Sequence, residues 1–358
     1  MTKLNRPKKI LFFLNHPAHY HLFKHIINNL RTKGYTIVIV IVKKDVLEDL
    51  VKHEGWLYIN LFPEGRRSQK FRGHLSTAIY FLKTLKRLIP LLIKNRVDLM
   101  VGTERTITHA GFLLHIPSLY INEDDTVATP ENKITYPFAT KVIMPECCDV
   151  GKWEGKKITY KGYHELAYLH PDYFKPDERM RDSLNLDGSR YFVIRLAELT
   201  ASHDVGKRGI SDSLLREIIA KLTKHGKVFI SSERMLPAEF ASYRLPTKPH
   251  DIFHVLYFAD LYIGDSQTMA AEAAVLGTPS IRFNDFIGKL GYLHELEHLY
   301  ELTFGISASH PERLLQKIDE LLSMPHLKQR WENKRKIMLV ESVNVVDFMT
   351  RTIESFVS

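Results

Sequence analysis

Residues 35–43 read YTIVIVIVK, a β-branched apolar run without the polar alternation of a strand that faces water on one side. A run of this kind is buried on both faces, and such strands belong to parallel sheets covered by helices. Parallel neighbours cannot be joined by a tight turn; they need a crossover, usually a helix. This segment therefore points to a chain that alternates strand and helix.

The rest of the sequence keeps that rhythm. KKILFFLN (8–15) reads as a buried strand, and HLFKHIINNLRTKG follows with helical spacing and stops at Gly34. VLEDLVKHEG is a short helix and WLYINL a strand. A long helical pattern then covers about 75–95, where Pro90 should kink or terminate it. VDLMVGT (97–103), RTITHAGFLLH and PSLYIN read as strand, helix and strand. In the second half RYFVIRL (190–196) is a strand, and SDSLLREIIAKLTKHG is a helix with a serine N-cap and a closing glycine. KVFISS, DIFHVLYFA and DLYIGD continue as strand, helix and strand; residues 310–323, 325–339 and 345–357 read as helices.

A chain of 358 residues is long for one core and comfortable for two. HPDYFKPDERMRDSLNLDGS (170–189) has two prolines and little apolar periodicity, so it separates the domains. The expected fold is α/β: two doubly wound Rossmann-like domains facing a central cleft, with residues 1–169 and 190–358 joined by the linker 170–189. The last helix is free to pack back on the first domain. In such sheets ligands bind at the carboxyl ends of strands.

No stretch reaches the roughly 18 uninterrupted apolar residues of a membrane span. The basic start MTKLNRPKKILFFLNHPAHY lacks a small-residue cleavage site and does not read as a signal peptide. The two cysteines, Cys147 and Cys148, are adjacent, which supports neither a disulfide framework nor a zinc knuckle and fits a reducing, cytoplasmic setting. The net charge of +9 favours phosphate in some form, as nucleotide, nucleic acid or lipid headgroup. The lysines are dispersed and no RNP, KH or helix-turn-helix pattern occurs, so nucleic acid is not the expected partner. TAIYFLKTLKRLIPLLIKNR (77–96) is both apolar and basic; it suits packing on a sheet, or peripheral contact with an anionic membrane.

Chemistry concentrates in DSQTMAAEAAVLGTPSIRF (265–283). A strand leads into Asp265-Ser266, and a helix begins near Ser266 or Gln267. Its first amide groups have no partners within the helix, and the dipole adds positive charge there, so Ser266, Gln267 and Thr268 can meet a phosphate. Glu272, about two turns on, can accept hydrogen bonds from vicinal hydroxyls. Phosphate plus ribose means nucleotide. From spacing alone, an ordinary capped helix with an exposed glutamate reads as well.

The stretch resembles the donor-nucleotide motif of two-domain glycosyltransferases of the GT-B fold, and most of all the non-hydrolysing UDP-N-acetylglucosamine 2-epimerases. Their turn reads Asp-Ser-Gly-Gly, then helix, Glu and a Leu-Gly-Pro-type ending. Asp265, Ser266, Glu272, Leu276, Gly277 and Pro279 match in order, while Gln267 and Thr268 replace the glycines. His16-Pro17 stands where the epimerases carry Arg-Pro. VGTERT occupies the place of a Gly-Asp-Thr motif, with Glu104 for the aspartate. IPSLYINEDD parallels a segment ending in a catalytic glutamate near Asn122 or Glu123. TPENKITYPFATKVIMP parallels a Pro-Glu-Glu segment and makes Glu131 a candidate, and KGYHELAYL parallels a Gly-Asn-Pro element opening the interdomain region. The opening HPAHxHxF also resembles domain of unknown function family 354, which shares the two-domain plan.

His16, His19, His21 and His25 crowd the first strand–helix junction. With no third ligand type nearby and no HExxH pattern, a base or substrate contact at His16 or His19 is favoured over zinc. Glu104, Arg105, Glu123, Asp124 and Asp125 follow strand ends, where Glu104 or Glu123 could act as base; the EDD run does not match the DxD pattern of metal-dependent transferases. Arg195, His203, Lys207 and Arg208 follow the first strand of the second domain and suit a departing diphosphate.

The expectation is a glycosyltransferase using a nucleotide sugar, most simply a UDP-sugar, in glycan or polysaccharide biosynthesis, with an unknown acceptor and no metal or separate cofactor. The alternatives are an epimerase of the 2-epimerase type and a non-enzymatic nucleotide or nucleic-acid binder.

Overall fold

The strand Lys9–Leu14 (β1) is followed by a helix whose start is written in three residues. His16 caps it, its Nδ1 accepting the Ala18 N–H at 3.2 Å, and Pro17 occupies the first turn, where no amide is needed. The helix Pro17–Thr32 (α1) buries Tyr20, Phe23, Ile26, Ile27 and Leu30 along one stripe, and the chain leaves it through Gly34 at φ +88. Each fully buried side chain of this size contributes about 1.5–3 kcal/mol.

The computed structural model describes residues 6–44, 46–64, 74–186, 188–197, 209–285 and 287–357. The chain divides into two compact units, Met1–Tyr168 with Val343–Ser358, and Leu169–Ser342.

The first unit continues with Thr36–Ile41 (β2), Leu47–His53 (α2), Tyr58–Asn60 (β3), His74–Asn95 (α3), Leu99–Gly102 (β4), Thr106–Leu114 (α4), Ser118–Ile121 (β5), Asn132–Thr135 (α5), Lys141–Pro145 (β6), Lys157–Tyr160 (β7) and Leu166–Leu169 (α6). The strands form one parallel sheet of seven in the order β3-β2-β1-β4-β5-β6-β7. The sequence reading had not assigned β6 and β7; both are short, and β7 is an edge strand with only Tyr160 fully buried. The helix α3 does not stop at Pro90 but runs through it to Asn95. The proline ring lies on the exposed side, where solvent can take the carbonyl it leaves unpaired. Exposed Leu82 and Ile93 share α3 with Lys83, Lys86 and Lys94, and among the described residues no helix is long and apolar enough to cross a membrane.

The second unit contains Glu178–Asp182 (α7), Tyr191–Leu196 (β8), Asp212–Leu222 (α8), Lys227–Ser232 (β9), Ile252–Phe258 (α9), Leu261–Gly264 (β10), Gln267–Val275 (α10), Ser280–Phe283 (β11), Gly291–His298 (α11), Thr303–Ile306 (β12), Pro311–Ser323 (α12) and Leu327–Glu341 (α13). Its five parallel strands run β12-β11-β10-β8-β9. The elements α11 and β12 had no counterpart in the sequence reading. The last helix, Val345–Ser355 (α14), packs on α1 of the first unit, with Lys33 Nζ 2.6 Å from Glu354 and Phe348 against Tyr160.

The strand order reverses once in each sheet, between β1 and β4 in the first and between β8 and β10 in the second. Loops leaving such neighbours diverge, which opens a crevice at their carboxyl ends. In the first sheet Gly102 makes the close approach possible: a Cβ there would lie 2.8 Å from the Phe13 carbonyl oxygen of β1.

Gly102→Ala should therefore force β4 away from β1 and cost about 1–3 kcal/mol. Urea unfolding measures this against Gly155→Ala, whose Cβ would meet nothing within 4 Å. Equal stabilities for the two variants would refute the tight β1–β4 contact.

Candidate functional site

At the reversal in the first sheet, β1 ends in Asn15-His16 and β4 in Thr103-Glu104. Asn15 Nδ2 donates to the Glu104 carboxylate, which is only 4% exposed. The Asn15 amide donates to His19 Nδ1 at 3.3 Å, and Thr103 Oγ1 lies 2.9 Å from the His19 ring nitrogens. A backbone N–H can only donate, so Nδ1 of His19, and likewise of His16, carries the lone pair. The neutral rings then carry their proton on Nε2. In His19 that nitrogen lies 2.9 Å from Thr103 Oγ1, which can accept its proton.

His21 and His25 go elsewhere. His21 is packed between the Tyr20 and Tyr168 rings, and burial ahead of the nearby Lys24 charge lowers its pKa to about 4. Burial also lowers that of His25. Among the described residues no group of three or more His, Cys, Asp or Glu could hold a metal ion.

One strand further along, the segment after β5 carries Glu123, Asp124 and Asp125. Glu123 Oε2 lies 3.0 Å from Nδ1 of His164, which follows β7, and the Glu123 carbonyl accepts the Cys148 thiol at 3.0 Å. Nε2 of His164 is buried without a partner among the described residues. Asp125 is buried and accepts the Asp149 amide. Burial, then the Glu123 charge, pushes Asp124 up to about 7, with Asp125 and exposed Glu131 adding to the effect and His164 opposing it. Glu131 opens α5 but makes no side-chain cap. Burial raises the Tyr120 phenol, and the charges of Glu104 and Asp124 both add to that, so the groups after β4 and β5 are electrostatic neighbours. The charges of Glu123 and Glu131 thus both reach Asp124, while Glu104 is tied to Asn15, and His19 to Asn15 and Thr103, at the end of the neighbouring strands. Asn15, Thr103 and His164 had not been singled out as functional from sequence. Asn15 stands beside His16, and His164 lies inside the KGYHELAYL segment, so only position hinted at them.

At the reversal in the second sheet, Asp265 closes β10. Its carboxylate accepts the amides of Ala197, after β8, at 2.6 Å and of Ile210, before α8, at 3.3 Å. Its own carbonyl accepts Asn284 Nδ2 at 3.0 Å. Burial raises the Asp265 pKa to about 6 despite those amide bonds. Ser266 is the N-cap of α10, its Oγ accepting the Met269 amide at 3.3 Å. Gln267 and Thr268 follow, half-buried, with their amides at the open end of the helix. Glu272 is 6% exposed, and its charge reaches the Tyr262 phenol on β10. Arg195, in β8, donates to Ser231 Oγ at 2.6 Å and to the Glu233 carboxylate. His203, Lys207 and Arg208 lie outside the described residues.

A cavity of about 710 Å³ opens at the same reversal, lined by Ala197, Ile210, Ser211, Arg234, Asp265 and Phe283 among others. That volume suits a small ligand (about 300–1,000 Å³). Phe283 lines it, whereas Ser280, of opposite parity on β11, bonds Ala270 of α10. The cavity therefore lies on the face of the sheet away from α10, and Asp265 is the wall between the two. The open helix end, not the cavity, carries Ser266 and its neighbours.

The raised carboxyl of Asp124 gives a pH forecast. A folded pKa above the unfolded value means the folded state binds more protons between about 4 and 7, so the wild type loses stability as pH rises through that window. Asp124→Asn removes the loss. Its melting temperature should gain on the wild type from pH 4.5 to pH 7.5, by about 2–4 °C per kcal/mol recovered. A gap that stays constant with pH would contradict the assignment.

A family model described as "Protein of unknown function (DUF354)" matches residues 9–307. The uncharacterized protein MJ0665 of Methanocaldococcus jannaschii is 21% identical over 301 residues, which cover 80% of this chain and 85% of that one. Among solved structures, the glycotransferase of kitacinnamycin superposes with a TM-score of 0.65 at 13% identity, over 99% of this chain and 100% of that one. The UDP-GlcNAc 2-epimerase from Neisseria meningitidis bound to UDP-GlcNAc gives 0.64 at 12% identity, over 98% and 99%. Identities this low carry the fold, and the two parallel α/β units are those of the GT-B fold. The match over most of its length makes this chain a member of the family described as Protein of unknown function (DUF354).

Proposed function

We propose that this protein is a nucleotide-sugar-dependent glycosyltransferase, with a UDP-sugar donor on the second unit and the acceptor on the first. The observation that carries the reading is the start of α10: a half-buried helix end at Ser266, Gln267 and Thr268, at a strand-order reversal, with Glu272 on the same helix. Amides and dipole there favour a phosphate, and Glu272 is the group for ribose hydroxyls. Solved GT-B neighbours include glycosyltransferases, and one of the epimerases is bound to UDP-GlcNAc.

In the proposed reaction an acceptor hydroxyl oxygen attacks the anomeric carbon, the bond to the diphosphate oxygen breaks, and the hydroxyl proton passes to a carboxylate. Glu123 is the stronger candidate for that carboxylate. Its side chain keeps 22% of its surface accessible and has His164 beside it, whereas Glu104 is buried under the Asn15 amide. Arg195 compensates the charge that grows on the leaving diphosphate.

A second reading, a nucleotide-sugar epimerase, is favoured by one feature. Glu123, His164 and Asp124, whose carboxyl is pushed up to about 7 by burial and the Glu123 charge, form a set that could take a proton from a sugar carbon and return it. A panel of UDP-, GDP- and CDP-sugars followed by NMR separates the two. A transferase releases nucleoside diphosphate, slowly to water and faster with acceptor. An epimerase changes the sugar without releasing it, and a binder does neither.

Two mutations localise the work. Glu272→Ala should weaken UDP binding by about 1.5–3 kcal/mol, or about tenfold to a hundredfold, in calorimetry on protein shown folded by a parallel melt. An unchanged affinity removes Glu272 from the nucleotide site. Glu123→Gln should lower turnover by about 10²–10⁴-fold and leave UDP affinity intact. If Glu104→Gln does this and Glu123→Gln does not, the base is Glu104.

A further inference from the structure

The HExxH spacing that the first strand–helix junction lacks occurs in the second unit, as HELEH at residues 294–298. The sequence reading passed over it. On a helix, residues four apart are neighbours on one face, so this spacing sets two imidazoles one turn apart.

The segment folds into α11. Tyr292, Leu293 and Leu296 are buried beneath the helix, which turns His294 and His298 to the outside, where both are exposed. The helix is also held against rotation. Glu297 accepts the Gly305 amide of β12 at 2.8 Å and lies 3.6 Å from Arg282 Nη2 of β11. Packing and these bonds fix the outward face that carries the two histidines.

The rings stand 4.3 Å apart between centroids, inclined at 53°. Among the described residues each ring has the other as its neighbour, and no hydrogen bond or ion pair ties either to the rest of the protein. His250 and His310, also exposed, each face a carboxylate instead. Each neutral imidazole presents a nitrogen lone pair, so the pair offers two donors at one point outside the helix.

Their separation suits a shared ion. A metal takes imidazole nitrogen at about 2.0–2.1 Å, so two rings on neighbouring positions of one ion have centroids about 4.5–5 Å apart. From 4.3 Å, rotation about the side-chain torsions closes the chelate without moving the backbone. His298 stands in the last turn of α11, where the helix dipole favours a cation. Once one ring holds the ion, the other meets it at high effective concentration. Among the described residues no third His, Cys, Asp or Glu joins the pair. Two ligands leave the remaining positions to water, so this is not the three-ligand centre of a zinc hydrolase.

We infer that His294 and His298 form a bidentate site for a divalent transition-metal ion. Two imidazoles suit Cu²⁺, Ni²⁺ and Zn²⁺, with Cu²⁺ held most tightly, and do not suit Mg²⁺, which prefers oxygen. The inference rests on α11 and holds whatever the protein does with nucleotides.

Cu²⁺, Zn²⁺ and Mg²⁺ are the probes, each titrated into the full chain by calorimetry. The tightest Cu²⁺ step should have a stoichiometry of one, Zn²⁺ should bind the same site more weakly, and Mg²⁺ should not bind it. His294→Gln and His298→Gln should each weaken that step by about tenfold or more, and the double variant should lose little beyond either, because one ring alone is no chelate. Both side chains are exposed, so the variants should melt like the wild type. His225→Gln, at another exposed histidine, should change nothing. Electron paramagnetic resonance of the bound Cu²⁺ should show two imidazole nitrogens in the wild type and one in each single variant. A Cu²⁺ step that survives both substitutions marks an adventitious ion only and overturns the inference. Losses that simply add in the double variant, or a wild type without a tight Cu²⁺ step, overturn it as well.

Discussion

Parallel pairing of strands constrains this protein more than any other interaction. Each strand can meet its neighbour only after a helical crossover, so all the carboxyl ends of a sheet lie along one edge. Helices begin at that edge, and their unpaired amides lie there with them. Where the strand order reverses, two successive loops turn opposite ways and the edge opens. Both sheets have one such place, at Asn15 and Thr103 in the first and at Ala197 and Asp265 in the second. The sequence has put its polar side chains there and filled the rest of each sheet with Ile, Val, Leu and Phe.

The two openings differ in chemical sign. In the second unit Asp265 spends its carboxylate on two backbone amides, which leaves donors in excess around it: the helix end and Arg195. In the first unit acceptors dominate: Glu123 and Glu131 act on Asp124, Glu104 and Asp124 both act on the Tyr120 phenol, and His164 and Arg105 oppose them. Burying like charges together is unfavourable, and the response is visible in Asp124, which holds its proton to about 7. Donor excess suits a phosphorylated ligand, and carboxylates whose affinities for protons are spread apart suit proton transfer.

The alternation of strand and helix was legible because it is local. YTIVIVIVK reads as a strand and forms β2, fully buried only in its second half; HLFKHIINNLRTKG reads as a helix, which in the fold begins earlier, at Pro17; and Ser266 caps α10 where the helix was expected to begin. The segments that escaped, α5, β6, β7, α6, α7, α11 and β12, are short, and β7 and β12 lie at the edges of their sheets, where burial patterns are weak. The long helix expected over about 75–95 forms as His74–Asn95; only a stop at Pro90 is overturned, because the cost of proline is set by whether the carbonyl it strands can reach water.

By itself, then, the sequence determined the class of fold, the strand-turn-helix at Asp265 and which side chains stand at strand ends, since each follows from periodicity or from a cap within a few residues. Only the tertiary structure decided which of those side chains meet. Glu123 and His164 are far apart in sequence and 3.0 Å apart in space because β5, β6 and β7 lie side by side. Arg195 and Arg282 share a row because β8 and β11 flank β10 in one register. Pairing order and register depend on how the whole sheet closes over its core, and no local pattern records that.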